Sequence, residues 1–85
     1  MIKVYDIENN KYIGKFPGTL ENIANFVASL DFSAKLVDEY TDNLVLTTIG
    51  NFLDEVPNQK FRNQLVNLLI PKQMSMDIDI VELIK

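Results

Sequence analysis

The sequence predicts a small two-layer α+β domain, with two β-hairpins and helices in the order ββαββαα and a strand at the C-terminal end. Three observations carry that expectation. Apolar residues cluster in two strand-like stretches that each fold about a polar turn, and they recur at three- and four-residue spacing in two others. No repeat, low-complexity tract or linker separates these segments, so residues 1–85 are expected to form one domain. A chain this short buries roughly 60–65% of the surface its unfolded state exposes. With 47% hydrophobic residues and eight phenylalanine or tyrosine rings, it has material for one core and a surplus available to an interface.

Residues 2–16, IKVYDIENNKYIGKF, read as two short strands around Glu8-Asn9-Asn10-Lys11, because asparagine tolerates the positive φ of tight turns. Ile2 and Val4 alternate with Tyr5 and Ile7, so both faces of this hairpin carry large apolar groups. Pro17-Gly18 breaks the strand, and Thr19 stands where an N-cap would bind the first free amides. Leu20, Ile23, Ala24, Val27 and Leu30 then form one helical face, with Asn22, Asn25 and Ser29 mostly opposite, which predicts a helix over about Leu20 to Leu30. A second hairpin is expected with Leu36, Val37 and Tyr40 before the turn Thr41-Asp42-Asn43 and Leu44 to Ile49 after it.

The stretch LVLTTIGNFLDEVP admits two readings. Gly50-Asn51 could be a two-residue turn followed by a strand from Phe52 to Val56, or a short helix could start at Thr48 or Gly50 and end at Val56 before Pro57. Ile49, Leu53 and Val56 fall at i, i+4 and i+7, and this stripe favours the helix. Pro57 and Asn58 begin a further helix with Phe61, Leu65, Leu68 and Leu69 on its apolar face, stopped by Pro71. The tail alternates from Met76 to Ile80 and is expected to be a strand, although Ile80, Val81, Leu83 and Ile84 would also suit a helix.

The composition narrows function by exclusion. Without histidine or cysteine, the chain lacks the usual near-neutral general base, the thiolate nucleophile and most zinc sites, and an enzyme is not expected. A net charge of −4 with a single arginine, Arg62, disfavours broad phosphate contact. No basic leader with an apolar core and no spanning stretch is present, so a cytoplasmic location is expected and no membrane partner. Asp77 and Asp79 would share a strand face and could hold a hard cation, but a solvated face accounts for them more simply, so neither metal nor other cofactor is expected. The TTIG segment lacks the second glycine and the lysine of a phosphate loop, and no small-molecule ligand is indicated.

The segment KVYDIENNKYIGKFPGTLENIANFV, residues 3–27, is similar in rhythm to the modular DNA-contact repeats appended to intron-encoded homing endonucleases. Those place a Tyr-Asp strand, a polar turn and a phenylalanine-bearing strand before a capped helix. The chain departs from them at Leu30-Asp31-Phe32, where the family continues into a basic helix-turn-helix and this sequence gives a hairpin, so the resemblance implies a shared supersecondary shape.

The expected function is that of a small non-enzymatic interaction or regulatory domain that self-associates or binds another protein, with Tyr5, Tyr12 and Phe16 as interface candidates. A more specific version is an acidic inhibitor or DNA mimic presenting Asp38, Glu39, Asp42, Asp54 and Glu55. The alternative is a nucleic-acid accessory domain using Lys3, Lys11 and Lys15 of the first hairpin. The asparagine, lysine and isoleucine content fits an AT-rich genome, bacterial or phage.

Overall fold

In the computed structural model, which describes residues 1–74 and 81–84, the chain folds in the order ββαβββα. Strands β1 (Ile2–Asp6) and β2 (Lys11–Phe16) precede helix α1 (Leu20–Ala28). They are followed by β3 (Ala34–Asp38), β4 (Leu44–Ile49), β5 (Phe52–Leu53) and helix α2 (Gln59–Met74). The five strands form one open sheet in the order β2-β1-β3-β4-β5, every neighbouring pair antiparallel.

The first hairpin turns as its polar residues predict. Asn10 takes the left-handed conformation at φ 50°, and the Asp6 carboxylate accepts hydrogen bonds from the backbone and side-chain nitrogens of Asn9. The register slips between Val4 and Tyr5, which leaves Ile13 as the extra residue of a bulge. Phe16 and Gly14 therefore face the core with Ile2 and Val4, while Tyr12 pairs with Tyr5.

Thr19 caps α1 by accepting from the Asn22 amide at 3.1 Å. Six consecutive residues, Ile23 to Ala28, are buried, which at 100° per residue surrounds the axis. The sheet lies on one side of α1, where Phe26 stacks on Phe16 with ring centroids 5.0 Å apart, and α2 lies on another. The expectation that Asn25 faces solvent with Asn22 and Ser29 fails for this reason: Asn25 is buried, and its Oδ1 has no partner among the described residues.

Three further expectations need correction. Tyr40 is not in a strand, because the Asp38 carboxylate accepts from the Tyr40 and Thr41 amides and starts the turn early, leaving Tyr40 85% exposed. Residues 50–56 are not a helix. Gly50 at φ +58° reverses the chain, Ser33 Oγ accepts from its amide, and Thr48 and Ile49 pair with Leu53 and Phe52 as β5. Thr47 extends that ladder, donating to the Glu55 carbonyl and accepting from the Asp54 amide, so the backbone groups a helix would need are already paired.

Finally, α2 is not stopped by Pro71 and does not start at Pro57. Asn58 caps it by accepting from the Phe61 amide at 3.0 Å, and Pro71 sits in the last turn, where its missing donor costs a single helix bond. Lys72 to Glu21 and Gln73 to the Asn51 carbonyl fasten the residues beyond it. The apolar face of α2 is the expected one, with Leu65 and Leu69 buried and Phe61 and Leu68 packed against the core. The strand expected over Met76 to Ile80 lies outside the described residues. Ile84 exchanges two backbone hydrogen bonds with Lys15 on the free side of β2.

The core is formed by Ile2, Val4, Phe16, Ala34, Leu36 and Leu46 from one sheet face together with the inward residues of α1 and α2. Gly18 lets the chain cross Ile2 closely, since a Cβ there would lie 2.7 Å from Ile2 Cγ1.

Candidate functional site

Both helices pack on a single face of the sheet, and the strand period of two sends the alternate residues to the other. With Ile2, Val4, Leu36, Leu46 and Thr48 facing the core, Lys3, Tyr5, Lys35, Val37, Thr47 and Ile49 point the opposite way. Tyr12 and Lys15 join them from β2, opposite Tyr5 and Lys3, and Phe52 joins from β5, opposite Ile49. Ile7 continues the β1 ladder one step further, donating to the Ser33 carbonyl at 3.0 Å.

Two chemistries are sorted on this open face. At the end nearest the β1–β2 and β4–β5 turns lies an apolar and aromatic row. Ile7, Tyr12, Ile49 and Phe52 are 47%, 42%, 63% and 70% exposed, and Tyr5 packs edge-on against Tyr12 with centroids 5.5 Å apart. The Lys35 ammonium lies 5.0 Å from the Tyr5 ring centroid, a cation over a π face.

The second chemistry is basic. Lys3 and Lys15 stand directly opposite each other, a like-charge cross-strand pair that opposes sheet pairing. Lys15 is relieved by Glu39, whose Oε1 lies 2.8 Å from Nζ. That hydrogen bond holds the Glu39 carboxyl below its ordinary range and raises the Lys15 ammonium. Lys3 and Lys35 make no ion pair among the described residues.

The interface candidates divide. Tyr5 and Tyr12 meet on the open face, whereas Phe16 is fully buried in the core and presents nothing to a partner. The acidic candidates fall into two groups, and several are engaged within the chain. Asp38 binds the Thr41 and Tyr40 amides, which lower its carboxyl's pKa, and Glu39 binds Lys15. Asp42 occupies the left-handed position of the β3–β4 turn at φ 60°. Asp54 Oδ2 lies 3.4 Å from Thr47 Oγ1, which sets its carboxylate at the β5 border of the open face, and exposed Glu55 follows. The Asp77 and Asp79 candidates lie outside the described residues.

Lys35, Ile49 and Phe52 were not singled out from sequence as site residues, whereas the alternation of the first hairpin already placed Ile7 on the face of Tyr5. Their common face depends on the pairing register. Ile49 points outward only because Thr48, its neighbour, points in, where its hydroxyl accepts from the buried Ala34 amide at 3.0 Å.

A concavity of about 630 Å³ opens where the β3–β4 turn meets the starts of α1 and α2, beside Ile2, Asp38, Asn58 and Phe61. Its Asp38 and Asn58 oxygens already accept backbone hydrogen bonds. Among the described residues no group of three carboxylates could hold a metal ion, and no helix is long and apolar enough to cross a membrane.

Fold and surface together define a class: an open antiparallel sheet layered with helices on one side and presenting aromatic, aliphatic and lysine side chains on the other. The chain matches no protein-family model, no curated protein and no solved structure.

Proposed function

We propose that this protein is a small non-enzymatic interaction domain that recognises a polypeptide through the open face of its sheet. The observation that supports this reading is the exposed row of Ile7, Tyr12, Ile49 and Phe52, which share one face with Tyr5 and Lys35. Aromatic anchors beside aliphatic residues suit a desolvated contact, and aromatic residues are enriched where truncation weakens binding most. The edge strand β5 has only two residues, which limits backbone pairing with another chain and favours contact through side chains.

The test compares wild type with an Ile49→Ser/Phe52→Ser variant in affinity capture and in self-association. The reading expects a polypeptide partner, either another protein or a second copy, that the variant loses while its circular dichroism and unfolding midpoint stay close to wild type. Identical behaviour of the two proteins, or no partner for either, overturns it.

A second reading has a specific observation in its favour. Lys3, Lys15 and Lys35 beside Tyr5 and Tyr12 resemble the stacking and phosphate contacts that a single-stranded nucleic acid uses on a sheet. The net charge of −4 and the aliphatic side chains in the row weigh against it. Retention of a labelled single strand at low salt, with affinity falling steeply as salt rises, distinguishes this reading from the first.

A further inference from the structure

We infer that the polypeptide recognised by the open face is a short acidic segment, its carboxylates set over Lys3 and Lys35 and its apolar side chains over Ile7, Ile49 and Phe52. This rests on the reading of that face as a polypeptide-binding surface. The way charge and apolar groups are sorted along the strands gives the chemistry of the occupant.

The registers divide the face into three levels along the strand direction. Lys15, Lys3 and Val37 share the first. Tyr12, Tyr5, Lys35 and Thr47 share the second. Ile7 lies at the third, where Ile49 and Phe52 pair directly. Cations therefore stand toward one end and apolar groups at the other, with the two tyrosine rings between them.

Lys3 and Lys35 are diagonal neighbours on β1 and β3, a placement that sets side chains roughly 7–8 Å apart. The Lys35 ammonium is held on the face by the Tyr5 ring, 5.0 Å from its centroid. One carboxylate placed above Tyr5 comes within reach of both ammonium groups. Neither makes an ion pair among the described residues. Glu39 bonds Lys15 and feels Lys3 only at longer range, and Asp54 stands at the far border beyond β4. Three lysines against Glu39 leave the β2-β1-β3 side positive on a chain whose net charge is −4. An acidic occupant relieves the like-charge pair of Lys3 and Lys15, whereas a basic one adds to it. A nucleic-acid strand would satisfy the lysines and tyrosines but leave the level of Ile7, Ile49 and Phe52 uncovered. A polypeptide carries carboxylates and aliphatic side chains in one stretch.

The size of the face sets the length of the segment and the strength of the contact. Five strands spaced about 4.8 Å apart, each near six residues at about 3.3 Å, give a surface on the order of 400 Å². That is about half of what a folded partner commonly buries on each side, so a short segment suits it better than a whole domain. From Lys3 to Ile7 the face runs four residues of strand, about 13 Å, which a helix crosses in about nine residues. Binding in about the micromolar range or weaker is the expected result.

The test selects short random peptides displayed on phage against the full chain, then titrates the enriched sequences as labelled synthetic peptides. Enriched sequences should carry an excess of aspartate or glutamate together with leucine, isoleucine or phenylalanine. Their affinity should fall severalfold from low to high salt. Lys3→Gln/Lys35→Gln removes both charges and keeps unbranched stems, and it should weaken binding about tenfold with circular dichroism unchanged. The salt titration on wild type decides the question without any variant. Enriched peptides with no acidic excess overturn the inference, as does failure to enrich any peptide. So does binding that salt leaves unmoved, or a labelled oligothymidylate that binds at low salt more tightly than every selected peptide.

The two failures separate cleanly. Neutral or basic peptides that bind wild type and are lost on Ile49→Ser/Phe52→Ser remove the acidic occupant and keep the interaction reading. No enriched peptide, and no captured polypeptide that Ile49→Ser/Phe52→Ser loses, removes both.

Discussion

The hydroxyl of Thr48 sits 3.0 Å from the Ala34 amide on a residue that is 1% exposed, so a single oxygen satisfies a buried donor on the neighbouring strand. Thr48→Val keeps the shape and removes the acceptor, leaving the amide unpaired. It should therefore cost about 1–3 kcal/mol in urea unfolding, with Thr48→Ser losing less. An unchanged midpoint for Thr48→Val would show that the amide finds another partner. This role is invisible in the sequence, where paired threonines simply favour strands, because the donor lies 14 residues away and is brought near only by register. Asp38 and Glu39 carry a second residue-scale consequence. Both carboxyls are lowered, by the Thr41 and Tyr40 amides and by Lys15 respectively, so they release protons more readily in the folded chain than in the unfolded one. Their stabilisation is complete above the unfolded carboxyl range, about pH 4, and is lost as pH falls through the lower folded values. The thermal midpoint should fall on acidification, and the acid limb should flatten in Asp38→Ala. Lys15 has the opposite sign: its pKa is raised, so its contribution persists below the unfolded lysine value and disappears as pH rises through the folded one.

At the scale of elements, the β4–β5 hairpin depends on Gly50 more than on any local apolar pattern. Its φ of +58° is strained for any residue with a Cβ, and nothing lies within 4 Å of the position a Cβ would take, so the cost of Gly50→Ala is one of backbone alone. About 1–2 kcal/mol of stability should be lost in chemical denaturation, together with hydrogen-exchange protection at the Asp54 amide, which donates to the Thr47 carbonyl. Gly50→Asn should lose less, since asparagine tolerates this region. The same hairpin shows where pattern reading fails. Ile49, Leu53 and Val56 do form a helical stripe in the sequence, yet in the fold Leu53 and Val56 reach the core from β5 and the segment after it while Ile49 is left outside. A helix of seven to nine residues gains too few bonds to offset nucleation, whereas a turn beside an existing strand extends a ladder already formed. Helix α1 and the first hairpin were legible because their caps and turn residues act locally: Thr19 binds the Asn22 amide, and Asn10 takes positive φ. The course of α2 past Pro71 was not legible, because the contacts that fasten its last turn, Lys72 with Glu21 and Gln73 with Asn51, come from elements distant in sequence.

For the molecule as a whole, the decisive distinction is between apolar groups that hold the fold and apolar groups that the fold leaves out. Composition shows the surplus but not its place: Phe16 and Tyr12 lie four residues apart on one strand, and the bulge at Ile13 sends the first into the core and keeps the second beside Tyr5. Two phenylalanines test this division. Phe16 is fully buried against Phe26 and the sheet, so Phe16→Ser removes a large core side chain, inserts a hydroxyl, and should cost at least about 3–5 kcal/mol, enough to unfold a domain of this size. Phe52 is 70% exposed on an edge strand, so Phe52→Ser should leave the unfolding free energy within about 0.5 kcal/mol of wild type. Its effect belongs to association instead: losing the ring from the row with Ile49 and Ile7 should weaken capture of the polypeptide partner proposed for the open face. A Phe52→Ser protein that unfolds like Phe16→Ser would place that ring in the chain's own stability. One that folds and still associates like wild type would move the interface away from the β5 side of the sheet.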